Sequence, residues 1–118
     1  MAAGARLICD SAALAEGGQG VRFEIEYFGE RAPAFVVRAR GRVYGYLNRC
    51  MHVPTELDWQ QGVFFDIEGR DLICSTHGAL YEATSGRCLG GPCNRRPLVR
   101  LNVAERDGSI YFLGIDDE

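Results

Sequence analysis

From residue 21 the chain alternates strictly: Val21, Phe23, Ile25 and Tyr27 are apolar, while Arg22, Glu24 and Glu26 between them are charged. A period of two is that of a half-buried β-strand, whose successive side chains point to opposite faces. AFVVRAR from Ala34 and RVYGYL from Arg42 meet at Arg40-Gly41 and read as a hairpin; LVRLNV from Leu98 and SIYFL from Ser109 flank Arg106-Asp107-Gly108 and read as another. Short strands at regular spacing predict an all-β sandwich or small barrel. The helix signal is confined to residues 11–16, where Ser11 can act as N-cap and Gly17-Gly18 as a stop. One turn is expected there and no long helix elsewhere.

Residues 47–97 follow a different pattern. The strand-like snippets GVFFDI, DLIC and ALYEA alternate there with Gly, Pro and polar turns, so this stretch is expected to be a loop-rich subdomain inserted between strands of a β base. No internal repeat or low-complexity tract interrupts the chain. At 118 residues it suits one domain, 1–118, with a real core. The net charge is −3, and the 13 Lys and Arg are scattered rather than gathered in a stripe, which argues against nucleic acid as a partner. The first twenty residues hold one Arg and no apolar run of signal-peptide length, and nowhere is there an apolar run long enough to span a bilayer. A cytoplasmic protein without a membrane anchor is expected.

The chemistry is concentrated in the two histidines. Each follows a cysteine, as Cys50-x-His52 and Cys74-x-x-His77. Five cysteines is an odd number, and in a reducing compartment metal ligation or plain burial is a better use for them than a full disulfide framework. Four readings are open. A structural zinc site accepts Cys2His2, but zinc knuckles usually pair like ligands, whereas here each loop mixes one of each and no helix follows. A Cys nucleophile with a His base needs a third, orienting group, and two copies have no evident use. Plain burial of the cysteines beside unrelated histidines is the third. The fourth is a binuclear iron cluster, to which each loop sends one thiolate and one imidazole: Cys50 and Cys74 to the buried iron, His52 and His77 to the outer one. Gly78 directly after His77 allows close backbone approach, and Gly86, Gly90, Gly91 and Pro92 supply a third turn able to cover such a cluster.

With the VRFEIEYF strand, C-x-H, C-x-x-H-G, the GRCLGGP segment and the closing hairpin ending IYFL, the chain resembles the Rieske-type [2Fe-2S] ferredoxins, the small soluble class, over most of its length. The resemblance implies an all-β Rieske fold of three small antiparallel sheets, the ligand set Cys50, His52, Cys74 and His77, and a Pro loop around Gly91-Pro92. Around the cluster it implies Gly78, then Ala79, where high-potential relatives carry a Ser that bonds a bridging sulfide, and Tyr81, whose hydroxyl can reach a ligand sulfur. Three departures stand out. Met51 replaces the Pro of a C-P-H loop, Ser75-Thr76 replaces a Pro-containing dipeptide, and the ligand loops are further apart than in many carrier ferredoxins. Neither ligand loop has the extra Cys that ties the loops together in the respiratory-complex proteins.

What the resemblance implies functionally is an electron carrier that changes no substrate itself. Two ferric irons, two sulfides and two thiolates sum to zero charge with neutral imidazoles, so histidine ligation raises the potential into a window of about −150 to +300 mV; Ala79 places this chain at the low end. The donor would be a flavin-containing or other reductase, and the acceptor a terminal oxygenase or oxidoreductase. They would dock transiently at Met51, Val53, Pro54 and Pro92, rimmed by Arg49, Glu56 and Arg95. A cluster-bearing small subunit of a larger oxidoreductase, like that of nitrite reductases, is the alternative, and a zinc-stabilised binding module a weaker one. Cys88 and Cys93 are near enough for a disulfide across a turn, but a pair of small buried thiols is expected. Cys9 and Trp59 are expected to be packing residues.

Overall fold

Three tight turns of the form X-Gly set the frame. Phe28-Gly29, Arg40-Gly41 and Asp107-Gly108 all have positive φ at both residues, from 50° to 80°, the backbone of the two-residue hairpin turns whose twist matches that of paired strands. The computed structural model describes residues 5–49, 57–58, 62–66, 69–74, 78–91 and 97–115. Nine strands run through them: β1 Arg6–Asp10, β2 Val21–Tyr27, β3 Glu30–Ala39, β4 Arg42–Leu47, β5 Asp71–Ile73, β6 Leu80–Glu82, β7 Cys88–Gly90, β8 Arg100–Arg106 and β9 Ser109–Ile115. The order β1-β9-β8-β4-β3-β2 makes one six-stranded sheet, and β5-β6-β7 a three-stranded one. Every pairing between the strands is antiparallel.

The all-β class is as the pattern predicts, and β5–β7 fall in the chain between β4 and β8. The base strands join in a single ladder, so the described strands form two sheets where the resemblance implies three. Two local expectations differ. The predicted N-cap Ser11 is instead the first residue of a 3-10 turn, Ser11–Ala13, preceded by Asp10 in extended conformation with no side-chain cap bond. And β3 begins at Glu30, four residues before the predicted start at Ala34, because its pairing with β2 runs unbroken back to the Tyr27–Glu30 pair, with Pro33 inside it opposite Glu24. Proline lacks an N–H but keeps its carbonyl, and that carbonyl accepts the Asn48 N–H at 2.9 Å.

One buried cluster connects the two sheets. Phe35, Val37, Ala39 and Tyr46 of the larger sheet pack with Leu57, Phe64, Leu72, Cys74, Ala79, Tyr81, Ala83 and Leu98. Phe35 stacks on Phe64 with ring centroids 3.9 Å apart. Tyr46 donates its hydroxyl to the Ala83 carbonyl at 2.7 Å, and a Cβ at Gly86 would lie 2.8 Å from the Tyr46 ring. Burial pushes the Tyr46 phenol above its usual range, so it remains a donor at any working pH. The small sheet is thereby fixed against the base, and with it the turns at its ends.

Candidate metal centre

β5 ends by delivering Cys74 into the interior. The Ile73 N–H bonds the Phe64 carbonyl at 2.9 Å, the Cys74 N–H bonds the Ala79 carbonyl at 2.9 Å, and the Gly78 N–H returns to the Cys74 carbonyl at 2.7 Å. These bonds close a tight turn whose exit requires Gly78 at φ 76°, a left-handed conformation that glycine adopts without steric cost. Cys74 is fully buried and not in a disulfide. Ala79 and Tyr81 are also fully buried in the same cluster, and Tyr81 lies on β6 between Leu72 and Cys88. Gly91, at φ 81°, crosses over this turn: a Cβ there would be 2.8 Å from the Gly78 carbonyl oxygen and 3.0 Å from the Ala79 Cα. The structure thus brings Cys74, Gly78, Ala79, Tyr81 and Gly91 together.

The other loop leaves the base at Asn48, directly after β4, and returns at Leu57. Asn48 and Asp58 are both buried. The Asn48 Oδ1 accepts the Leu57 N–H at 2.8 Å, its Nδ2 donates to Asp58 Oδ1 at 2.9 Å, and Asp58 Oδ2 accepts the Gly62 N–H at 2.9 Å. Arg22 Nε stands 3.6 Å from the same Asp58 oxygen. The sequence analysis missed this network. Its only trace is a polar residue in each of two apolar settings, Tyr-Leu-Asn before Cys50 and Leu-Asp-Trp after the loop.

Of the four expected ligands only Cys74 is among the described residues; Cys50, His52 and His77 lie outside them, as do Met51, Val53, Pro54, Glu56, Trp59, Pro92, Cys93 and Arg95. Among the described residues no three His, Cys, Asp or Glu converge. Arg49 has its guanidinium carbon 6.0 Å from the centre of the Tyr27 ring. Cys9 is half-buried, and burial pushes its thiol upward. One expectation is corrected: Cys88 is disulfide-bonded rather than a plain buried thiol.

A buried cysteine at the mouth of a Gly-supported turn, covered by a second glycine turn, fits a thiolate-bound inorganic group: the bulk of a side chain is excluded where the two backbones meet, and water is kept from the sulfur. A family model for the Rieske [2Fe-2S] domain matches residues 5–105. The chain belongs to the Rieske [2Fe-2S] family. Its cofactor is therefore a [2Fe-2S] cluster, in keeping with the donor chemistry of Cys74.

Solved structures agree with the Rieske fold. A chain of the complex of reduced oxygenase and oxidized ferredoxin in carbazole 1,9a-dioxygenase is 22% identical with a TM-score of 0.75, over 98% of this chain and 97% of that one. The ferredoxin of carbazole 1,9a-dioxygenase from Nocardioides aromaticivorans IC177 is 20% identical with a TM-score of 0.72, over 95% and 99%. The Sphingomonas yanoikuyae B1 ferredoxin is 22% identical with a TM-score of 0.68, over 95% and 97%. At these identities the likeness concerns the fold. No curated protein matches the sequence. Among the described residues no helix is long and apolar enough to cross a membrane.

Proposed function

We propose that this Rieske protein is a single-domain electron carrier, residues 1–118, whose cluster is held by Cys50, His52, Cys74 and His77 in an inserted subdomain spanning about 47–97. The observation that carries the reading is the buried Cys74 thiol at the head of the Cys-x-x-His-Gly turn, in a chain matched by the family over residues 5–105. The cluster, when bound, supplies a site that gains and loses one electron at a potential of about −150 to +300 mV. The two thiolates carry the negative charge on the protein side; the two imidazoles, being neutral, keep the total low. Tyr81, Ala79, Gly78, Gly91 and Pro92 surround the group, and the apolar wall formed by Tyr81 and Ala79 keeps water from Cys74.

The chain performs no bond-making step in this reading. A flavin-containing or other reductase donates the electron and a terminal oxygenase accepts it, in the cytoplasm; support comes from the ferredoxins of oxygenase systems that share the fold. Both partners would approach the histidine side, where transient contact over a small area is enough.

The test is reduction with dithionite followed by low-temperature EPR. The expected result is a rhombic signal with an average g-value below that of all-cysteine clusters, lost in Cys50→Ala and in Cys74→Ala. Colourless protein with stoichiometric zinc and no signal would overturn the reading and leave a zinc-stabilised binding module.

A further inference from the structure

We propose that Asn48 and Asp58 are positioning residues that hold the first ligand loop in its ligating shape, an inference that rests on Cys50 and His52 of that loop binding the cluster. Between the end of β4 at Leu47 and the start of β5 at Asp71 the described residues contribute no strand beyond the single bridge Phe65–Leu72. Among the described residues, the bonds that tie the departing end of the loop to its returning end come from side chains. Asn48 and Asp58, 1% and 5% exposed, are buried polar side chains among the described residues. An ionised carboxylate is costly to bury unless its oxygens are bonded, and here both oxygens are: one by the Asn48 amide, the other by the Gly62 N–H.

The network fixes both ends of the loop to the same part of the base. At the departing end, the Asn48 backbone N–H bonds the Pro33 carbonyl of β3 at 2.9 Å. At the returning end, Asn48 Oδ1 takes the Leu57 N–H, and Gly62, bonded to Asp58, accepts the Gly20 N–H at 2.8 Å. Arg22 of β2 flanks Asp58. Cys50 and His52 follow Asn48 by two and four residues, so the span in which they must find the metal is short and closed at a defined width. Closing the loop in advance removes conformational freedom that ligation would otherwise have to remove. Partners of this kind, which orient ligands without touching the metal, govern how firmly it is held.

The bond pattern supplies its own test, because donor and acceptor can be exchanged. In Asn48→Asp two carboxylates face each other; in Asp58→Asn an amide N–H opposes another N–H. In the double variant N48D/D58N the carboxylate at 48 accepts from Leu57 N–H and from the amide at 58, whose oxygen accepts from Gly62 N–H, so all three bonds return with net charge unchanged. Full-length holoprotein of each variant is challenged with an iron chelator, and cluster loss is followed by visible circular dichroism, with EPR line shape of the reduced protein as second readout. Each single variant should lose its cluster about tenfold faster or more with a broadened signal, and the exchange should restore both. If neither single variant folds, an exchanged protein that folds and keeps its cluster supports the proposal. Single variants with wild-type rate and line shape, or an exchanged protein as labile as they are, would overturn it. Cys50→Ala separates the two levels: colourless Cys50→Ala beside unaffected single variants refutes the positioning role alone, whereas Cys50→Ala that keeps its cluster refutes the ligand assignment beneath it.

Discussion

Ala79 shows how one side chain can set a potential. It is fully buried, in the same cluster as Cys74 and Tyr81, and its carbonyl already accepts the Cys74 N–H, so its backbone position is fixed while its methyl offers no hydrogen bond. A serine hydroxyl there would have to find a partner, since a buried polar group left unsatisfied is costly, and a sulfur of a cluster held by Cys74 would be the acceptor the proposed function offers. Such a bond favours the reduced, more negative state. Ala79→Ser is therefore expected to raise the midpoint: a net gain of about 1 kcal/mol for the bond corresponds to about 40 mV for one electron. Redox titration of a variant with full iron content checks this, and an unchanged midpoint refutes it. At this scale Cys74, Gly78 and Ala79 are legible in the sequence because their chemistry lies in residue type and spacing. Asn48 and Asp58 are not, because two polar residues ten positions apart become partners only through the path of the loop between them.

Among the elements, turn chemistry decides what can be read in advance. Arg40-Gly41 and Asp107-Gly108 stand between alternating runs and announce their hairpins; the first is further held by Glu16, whose carboxylate accepts the Arg40 and Gly41 N–H groups and is lowered by those bonds. Phe28-Gly29 makes the same turn with the aromatic ring 88% exposed, and neither aromatic character nor the Pro33 that follows signals a hairpin. Short strands such as β7 are likewise unreadable, being fixed by their neighbours rather than by their own pattern. Gly91 is the position where elements meet most closely. Gly91→Ala would force a Cβ to 2.8 Å from the Gly78 carbonyl at a φ of 81°, where both the clash and the left-handed backbone oppose it. A loss of about 1–3 kcal/mol follows from the backbone strain alone. Thermal unfolding of the holoprotein is expected to shift downward by several degrees, with faster cluster loss to chelator; Gly29→Ala, where a Cβ meets nothing within 4 Å, bears the backbone cost without the clash and should lose less. Equal losses in the two variants would refute the close crossing of the third turn over the second.

For the whole molecule, Arg38 is the fastener between distant parts of the chain. From β3 its guanidinium reaches past β4 to Glu105 on β8, with Nη1–Oε1 at 3.1 Å and Nη2–Oε2 at 2.6 Å, and its Nε donates to the Leu14 carbonyl at 2.9 Å. Strands not adjacent in the sheet are thereby tied to each other and to the segment between β1 and β2. The Arg38 hydrogen bonds lower the Glu105 carboxyl from 4.5 to about 2. A carboxylate lowered in the folded state stabilises the fold above its unfolded value and ceases to do so once it is protonated in both states. The contribution is thus whole above about pH 4.5 and fades as pH falls toward 2. Because the pair is partly exposed, with side chains 17% and 31% accessible, salt screens it, and its effect is to be read as a difference between proteins. Glu105→Gln, which removes the charge and keeps the shape, should unfold at lower urea than the wild type at pH 7, and the gap should close progressively between pH 4.5 and 2; acid loss of the cluster, being common to both proteins, cancels in the comparison. A gap that stays constant through that window would mean that Glu105 acts through packing, and that the charge on Arg38 is balanced elsewhere.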